Sequence, residues 1–315
     1  MTEYHFSPEE LENGLGTFAE KGITSISVRD PGITADKDRF LRFIKSVQKK
    51  DSTVLFTFYL EYTFLDRDIV DALGSIYSSI FVTPSVSDKK AFSKKIMLLN
   101  DAGLVFGFDI QLDSRTNCTS LKNFREFIDF CISLYPNHMY FDDVLPEVAP
   151  TLSKADITLI KQILFACDTF YSAGRAVPWF QAVLFPLRIK PSFFFLDFAE
   201  WQACNNCSLS SGFHPDTADH KEIETMQKVF LNLKYEEKKL HHVFTAASDL
   251  ISIHGAFSRS VSSGETSKFD MSYHPDDILS PFVFDLPRFC EEVVMEPCTV
   301  CVFITDEGPD YTVES

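Results

Sequence analysis

The sequence predicts an α/β fold: a partial (β/α) barrel of parallel strands, followed by a mostly helical C-terminal domain. Three observations predict it. Up to residue 171, short apolar runs alternate with capped, amphipathic helical segments. Strands that alternate with helices pair in parallel through right-handed crossovers. From residue 177 that alternation stops and aromatic-rich helical segments follow. The length, 315 residues, exceeds what one small core needs, so a large domain with a second one is expected. The boundary falls near residue 150, giving domains 1–150 and 151–315.

Taken in order, Ser7-Pro8-Glu9-Glu10 is a capping box with Pro at the first helical position. The helix it opens ends at Lys21-Gly22, with Gly as a left-handed stop. Residues 23–28 read as a strand, and Asp30-Pro31-Gly32 turns the chain. Thr34 can cap a helix whose Phe40, Leu41, Phe43, Ile44 and Val47 share one face. Strand 54–59 and a helix near 66–76 follow, the latter with Ile69, Val70 and Leu73 inward. Then come strand 79–82, helix 88–102 stopped by Gly103, strand 105–112, helix 120–135 and strand 138–141. Ser153-Lys154-Ala155-Asp156 starts a long helix through Tyr171, stopped near Gly174. A helix leads the series, whereas in a βα repeat each helix follows its own strand. Either a strand lies upstream of Met1, or the first helix covers the barrel bottom or the sheet edge.

The second half reads differently. Residues 177–202 are helical and carry Trp179, Phe180, Phe193, Phe194, Phe195, Phe198 and Trp201, a cluster expected to pack as core. Residues 204–220 form a polar linker; 221–233 and 241–257 are helices. Residues 258–272 read as a Ser-rich loop, 298–304 as a strand, and 305–315 as an acidic tail.

Charge and composition narrow the function. The formal net charge of −16 disfavours bulk nucleic-acid or anionic-membrane binding. No apolar run has the length of a membrane span, and the polar, acidic residues 1–10 do not resemble a secretory signal. The expected compartment is the cytoplasm, where the eight Cys would be thiols or ligands. Only 12 Gly accompany 32 Phe, which argues against Gly-rich phosphate-cradling loops.

Several segments, in order, resemble cobalamin-dependent radical S-adenosylmethionine proteins. Val28-Arg29-Asp30-Pro31-Gly32-Ile33-Thr34-Ala35-Asp36-Lys37 is similar to their Asp-Pro-Thr-Phe-Asn segment at the end of the second barrel strand. Phe56-Thr57-Phe58-Tyr59-Leu60-Glu61 resembles the third strand, and Phe64 to Leu73 the helix after it. Ile80-Phe81-Val82-Thr83-Pro84-Ser85 sits where they carry a Gly-x-Gln-Ser strand end. Ala102 to Leu112 and Pro136 to Phe141 resemble the fifth and sixth strands. Asp168 to Arg175, Phe269 to Tyr273 and Cys301-Val302-Phe303 look like the uncharacterised C-terminal domain of some of those proteins. The resemblance implies a barrel that takes S-adenosylmethionine, a four-iron four-sulfur cluster and cobalamin.

The departures bear on function. The family's CxxxCxxC supplies three thiolates and leaves one iron open for the amino and carboxylate groups of the nucleotide. No such motif exists here, and residues 1–112 contain no Cys. No segment of these 315 residues resembles the family's cobalamin domain either. Pro84 replaces a Gln, and Gln111-Leu112-Asp113 replaces a Gly-Leu-Pro turn. The expectation is a truncated radical-enzyme barrel without radical activity of its own. The alternative is part of an enzyme whose cluster and cobalamin regions are encoded upstream, with a cluster-bearing chain as partner. A third option is an unrelated (β/α) hydrolase, which should show a polar constellation at the strand ends. The carboxylates there are Asp30, Glu61, Asp109 and Asp142-Asp143.

Parallel barrels place their sites at the carboxyl ends of strands. Asp30 and Glu61 are candidates to hold the amino group or ribose of an S-adenosylmethionine-like ligand, with Ser85 nearby. The competing readings are loop carboxylates, helix-cap partners and, for Ser85, a helix cap. Cys204 and Cys207, followed by His214 and His220, space four candidate metal ligands. Two cytosolic thiols in a loop is the plainer reading. A second CxxC pair is Cys298/Cys301.

Overall fold

The structure is a computed structural model. It describes residues 10, 13–15, 17, 21–50, 54–113, 117–141 and 152–314. The chain divides into two compact units, Met1–Leu152 and Ser153–Ser315.

The first unit carries five strands: β1 (Ser25–Val28), β2 (Leu55–Leu60), β3 (Ser78–Val82), β4 (Phe106–Ile110) and β5 (His138–Phe141). They form one sheet in the order β1-β2-β3-β4-β5, and every neighbouring pair is parallel. Strands added one after another without a reversal make the arc of a barrel wall; a doubly wound sheet reverses its order at a switch point. Among the described residues β1 pairs only with β2. Most of the expected first helix lies outside the described residues, while Gly22 adopts the predicted left-handed φ of 70°.

Helices cover one face. They are α1 (Pro31–Thr34), α2 (Lys37–Lys49), α3 (Arg67–Leu73), α4 (Lys89–Asp101) and α5 (Leu121–Ile132). Each starts at a polar cap: Asp30, Asp36, Asp66, Asp88 and Ser120 all accept from a backbone N–H of the first turn. Thr34, expected to cap the second helix, instead ends α1, and Asp36 takes that role by accepting from Arg39 N at 3.0 Å. Strand β2 alternates half-buried and buried residues. Its buried face, Phe56, Phe58 and Leu60, meets α2, with Phe40–Phe58 and Phe43–Phe56 rings edge-to-face at 5.2 and 5.7 Å. Each fully buried Phe contributes about 1.5–3 kcal/mol through loss of apolar surface from water. The opposite face, Thr57, Tyr59 and then Glu61, therefore lines the inside of the arc.

The second unit contains α6 (Lys154–Cys167), α7 (Phe180–Leu184), α8 (Pro191–Cys204), α9 (His220–Glu237) and α10 (His241–Ser263). Two short helices, α11 (Pro275–Ile278) and α12 (Leu286–Glu292), follow. The predicted capping box holds at the start of α6, where Ser153 and Asp156 bond reciprocally. A π-helical turn, Asp168–Ala173, continues α6 and places Phe170 at the centre of the aromatic core. The Phe170 ring lies 4.9 Å from both Phe194 and Phe198 and 5.8 Å from Trp179. A π turn leaves carbonyls without their usual partners. Gln227 meets this need by donating to Phe170 O and Gly174 O at 2.7 and 2.9 Å.

The second unit is less purely helical than expected. Strands β6 (Ser267–Met271), β7 (Cys298–Thr305) and β8 (Gly308–Glu314) form an antiparallel sheet. The expected Ser-rich loop is the end of α10 plus β6, separated by Gly264 at φ 68°. The expected acidic tail is β8, returned against β7 by a turn at Gly308, φ 125°. Its Asp and Glu side chains sit on exposed positions of a hairpin and carry no apolar alternation to announce a strand.

Candidate functional site

The carboxyl ends of β1 to β4 enclose an open cavity of about 530 Å³. The sheet supplies its floor in two tiers. Continuing the β1–β2 register one residue past Val28↔Phe58 brings Arg29 level with Tyr59. Tyr59 pairs with Phe81, and Phe81 with Gly107. The first tier is thus Arg29, Tyr59, Phe81 and Gly107 across four strands. Because side chains on a strand repeat every second residue, the next tier on the same face is Glu61, Thr83 and Asp109. All of these except Gly107 line the cavity, together with Pro31, Thr34, Ala35, Thr63 and Phe64 from the loops above.

The first tier is a stack. The Arg29 guanidinium lies 3.7 Å from the Tyr59 ring centroid. The Tyr59 and Phe81 rings are stacked at 5.3 Å with 14° between their planes. Gly107 allows this. A Cβ there would come within 2.8 Å of Phe81 Cε1, so the bare backbone lets the Phe81 ring lie across β4. Cation–π attraction adds about 0.5–1 kcal/mol at an exposed site.

Among the described residues that line the cavity Arg29 is the single cation, against the carboxylates of Glu61 and Asp109. The described lining therefore carries two carboxylates and one guanidinium. Arg29 touches Tyr59 and has no hydrogen-bond or ion-pair partner among the described residues. Glu61 begins the 3₁₀ turn Tyr62–Phe64 without a side-chain cap bond and is likewise unpaired among them.

Of the three ligand-binding candidates Asp30, Glu61 and Ser85, Glu61 lines this cavity. Asp30 is a helix cap, accepting from Gly32 N at 2.8 Å. Ser85 lies off the lining, with its hydroxyl 3.2 Å from that of Ser87. Asp109 does line the cavity, and Asp142-Asp143 lie outside the described residues. Arg29, Tyr59 and Phe81 escaped the sequence reading. The signal for them was present: in β2 every second residue is apolar and buried, which assigns Tyr59 and Glu61 to the other face.

The metal candidates do not converge. Cys204 is exposed at the end of α8, and Cys207 in the following turn donates to Asn205 O at 3.4 Å. His214 precedes a 3₁₀ turn, Pro215–Thr217, and its side chain makes no cap bond there. His220 is buried at the start of α9, its Nδ1 3.0 Å from Arg259 Nη1. Burial first, then the Arg175 and Arg259 charges, push its pKa down to about 4. A guanidinium beside the ring repels a metal cation as it repels a proton. Among the described residues no three His, Cys, Asp or Glu side chains are arranged to hold a metal. Cys298 and Cys301 are three apart on β7, so they point to opposite faces of the sheet.

The thiols do not suit a four-iron cluster either. All eight Cys are free. The two in the parallel-sheet unit, Cys118 and Cys131, are completely buried, and burial raises both thiols, Cys118 to about 11. Iron is bound by accessible thiolates, and neither residue offers one.

No protein-family model matches the chain, and no curated protein matches it. Among solved structures, the fold is loosely similar to a radical S-adenosylmethionine methyltransferase, TsrM, from Kitasatospora setae, solved with cobalamin and a [4Fe-4S] cluster bound. The sequences are 10% identical, the TM-score is 0.38, and the match covers 43% of this chain. It spans 30% of the length of that structure's chain. No helix among the described residues is long and apolar enough to cross a membrane.

Proposed function

We propose that the parallel-sheet unit is a binding module for a cationic nucleoside of the S-adenosylmethionine type, and that its own residues perform no radical cleavage. One observation carries the reading. The open cavity at the strand ends joins an acidic mouth, Glu61 and Asp109, to an aromatic slab, Tyr59 and Phe81. A sulfonium or ammonium suits the first; a flat purine suits the second. The volume falls within the range of about 300–1,000 Å³ usual for small-molecule sites. When bound, S-adenosylmethionine would supply an electrophilic sulfonium. Glu61 would neutralise charge beside it, and Tyr59 and Phe81 would exclude water from one face of the base.

A second reading is favoured by the outer edge of β1, which pairs with no strand among the described residues. There, a cluster- and cobalamin-bearing chain or segment completes the arc and supplies the redox chemistry. Both readings place the protein in the cytoplasm, where free thiols persist.

The test is reconstitution of the protein with iron, sulfide and reductant, followed by labelled S-adenosylmethionine. Binding of the nucleoside without four-iron absorbance and without release of 5′-deoxyadenosine is expected. Stoichiometric cluster assembly with cleavage would overturn the binding-module reading. Cys204, Cys207, Cys298 and Cys301 would then be the first residues to substitute.

A further inference from the structure

We propose that Arg29 and Glu61 form a metal-independent clamp for the zwitterionic head of an amino-acid-bearing ligand. The inference rests on the nucleoside reading of the cavity and names what would hold the ligand's other end. Two opposite charges line one cavity, on adjacent strands and one tier apart. With strands about 4.8 Å apart and a rise of about 3.3 Å per residue, their Cα atoms are about 8 Å apart. That is within reach of an Arg–Glu ion pair, yet the two do not bond to each other or to any described residue. Instead Arg29 is laid against the Tyr59 ring at 3.7 Å. The guanidinium donors lie in the plane of the group and bond to no described residue, so its hydrogen-bonding edge is available. That edge matches a carboxylate bidentately. An ionised Glu only accepts, which matches an ammonium.

An α-amino acid presents carboxylate and ammonium on one carbon, so a single ligand head satisfies both unpaired groups. The remainder of the ligand then lies over Tyr59, Phe81 and Phe64, which line the same cavity. In the proteins that the sequence resembles, an open iron takes the amino and carboxylate groups. Here the residues themselves take them.

The test is calorimetric titration of the full chain, in the presence of EDTA, with S-adenosylhomocysteine, 5′-methylthioadenosine and methionine. Arg29→Gln and Glu61→Gln are titrated in parallel. Both positions are exposed, so circular dichroism and unfolding midpoints should match the wild type. S-adenosylhomocysteine should bind about 10- to 100-fold tighter than 5′-methylthioadenosine, the worth of a charge-assisted pair. Arg29→Gln should erase that advantage and leave 5′-methylthioadenosine unaffected. Equal affinity for the two nucleosides, with no effect of Arg29→Gln, would overturn the clamp and leave the nucleoside reading standing. Methionine binding as tightly as S-adenosylhomocysteine would support the clamp and remove the nucleoside. Failure of all three to bind would overturn both.

Discussion

Two groups of charges, one in each unit, are arranged in opposite ways. In the second, charges are buried and closed on themselves. Arg259 donates to Glu224 at 2.6 Å, meets His220 Nδ1 at 3.0 Å and reaches Glu265 at 3.3 Å. Lys228 adds a second bond to Glu224 at 2.7 Å. Gly255 makes this possible, because a Cβ there would come within 2.5 Å of the Glu224 carboxylate. In the first unit, Arg29 and Glu61 sit one tier apart in an open cavity and stay unpaired. The chain supplies partners where a charge serves the fold. The proposed clamp gives that pair a partner from outside the chain.

The largest effect should come from breaking the closed network. Arg259→Met leaves Glu224 and His220 buried with one partner fewer, and should cost about 3 kcal/mol, somewhat eased by Lys228. Urea unfolding measures it, and Arg259→Met combined with Glu224→Gln should recover part of the loss. A cost under about 1 kcal/mol would mean that the network is not closed in solution.

Next is the π turn. Gly174→Ala would place a Cβ 2.1 Å from Gln227 Nε2 and 2.2 Å from Phe170 O. The Gln227 amide must leave the carbonyls that it bonds, at about 1–3 kcal/mol. Thermal unfolding of the variant, with Gln227→Ala as reference, checks it. An unchanged midpoint would count against the clasp.

A third effect depends on pH. Burial first, then the charge of Asp216, lifts the Asp168 carboxyl to about 6. In the unfolded chain it ionises near 4, so between about pH 4 and 6 the folded state holds the extra proton. Its contribution is full below pH 4 and is lost as the pH rises through 6. His220, held down to about 4, runs the other way, losing stability as pH falls from about 6.5 to 4. Asp168→Asn separates them: relative to wild type it should gain about 1–2 kcal/mol on going from pH 4 to pH 7. Parallel curves for the two proteins would show that Asp168 does not titrate across this window.

The smallest effect on stability, and the sharpest contrast, belongs to the cavity. Glu61→Gln should change unfolding by no more than about 0.5 kcal/mol, as for an exposed, unpaired side chain. Its consequence should appear in ligand affinity alone. A large destabilisation would show that Glu61 serves the fold after all.

Legibility followed the same division. Helix caps and strand positions in the first unit could be read because Asp and Ser precede apolar stripes, and because Phe56, Phe58 and Leu60 alternate with less buried neighbours. The place of Glu61 on the cavity wall could be read since it directly follows a strand. Arg29 was missed because a charged residue at a strand end resembles any solvated side chain until the register sets it beside Tyr59. The β7–β8 hairpin was hidden for another reason: β8 exposes most of its length, so little apolar pattern was required of it. His220 looked like a ligand by spacing. Only the fold shows Arg259, 39 positions away in sequence, beside it.

Gly107 gives the floor of the cavity an unusual dependence. The position is not among the residues that line the cavity, yet its missing side chain leaves room for the Phe81 ring. The tilt of Phe81 sets that of Tyr59, and Tyr59 carries the guanidinium. Aim at one margin of the arc is thereby governed by an omission three strands away. A side chain at residue 107 would press on the Phe81 ring and on His138 O, 2.8 and 2.9 Å from its Cβ, and so disturb the cavity floor from outside its lining.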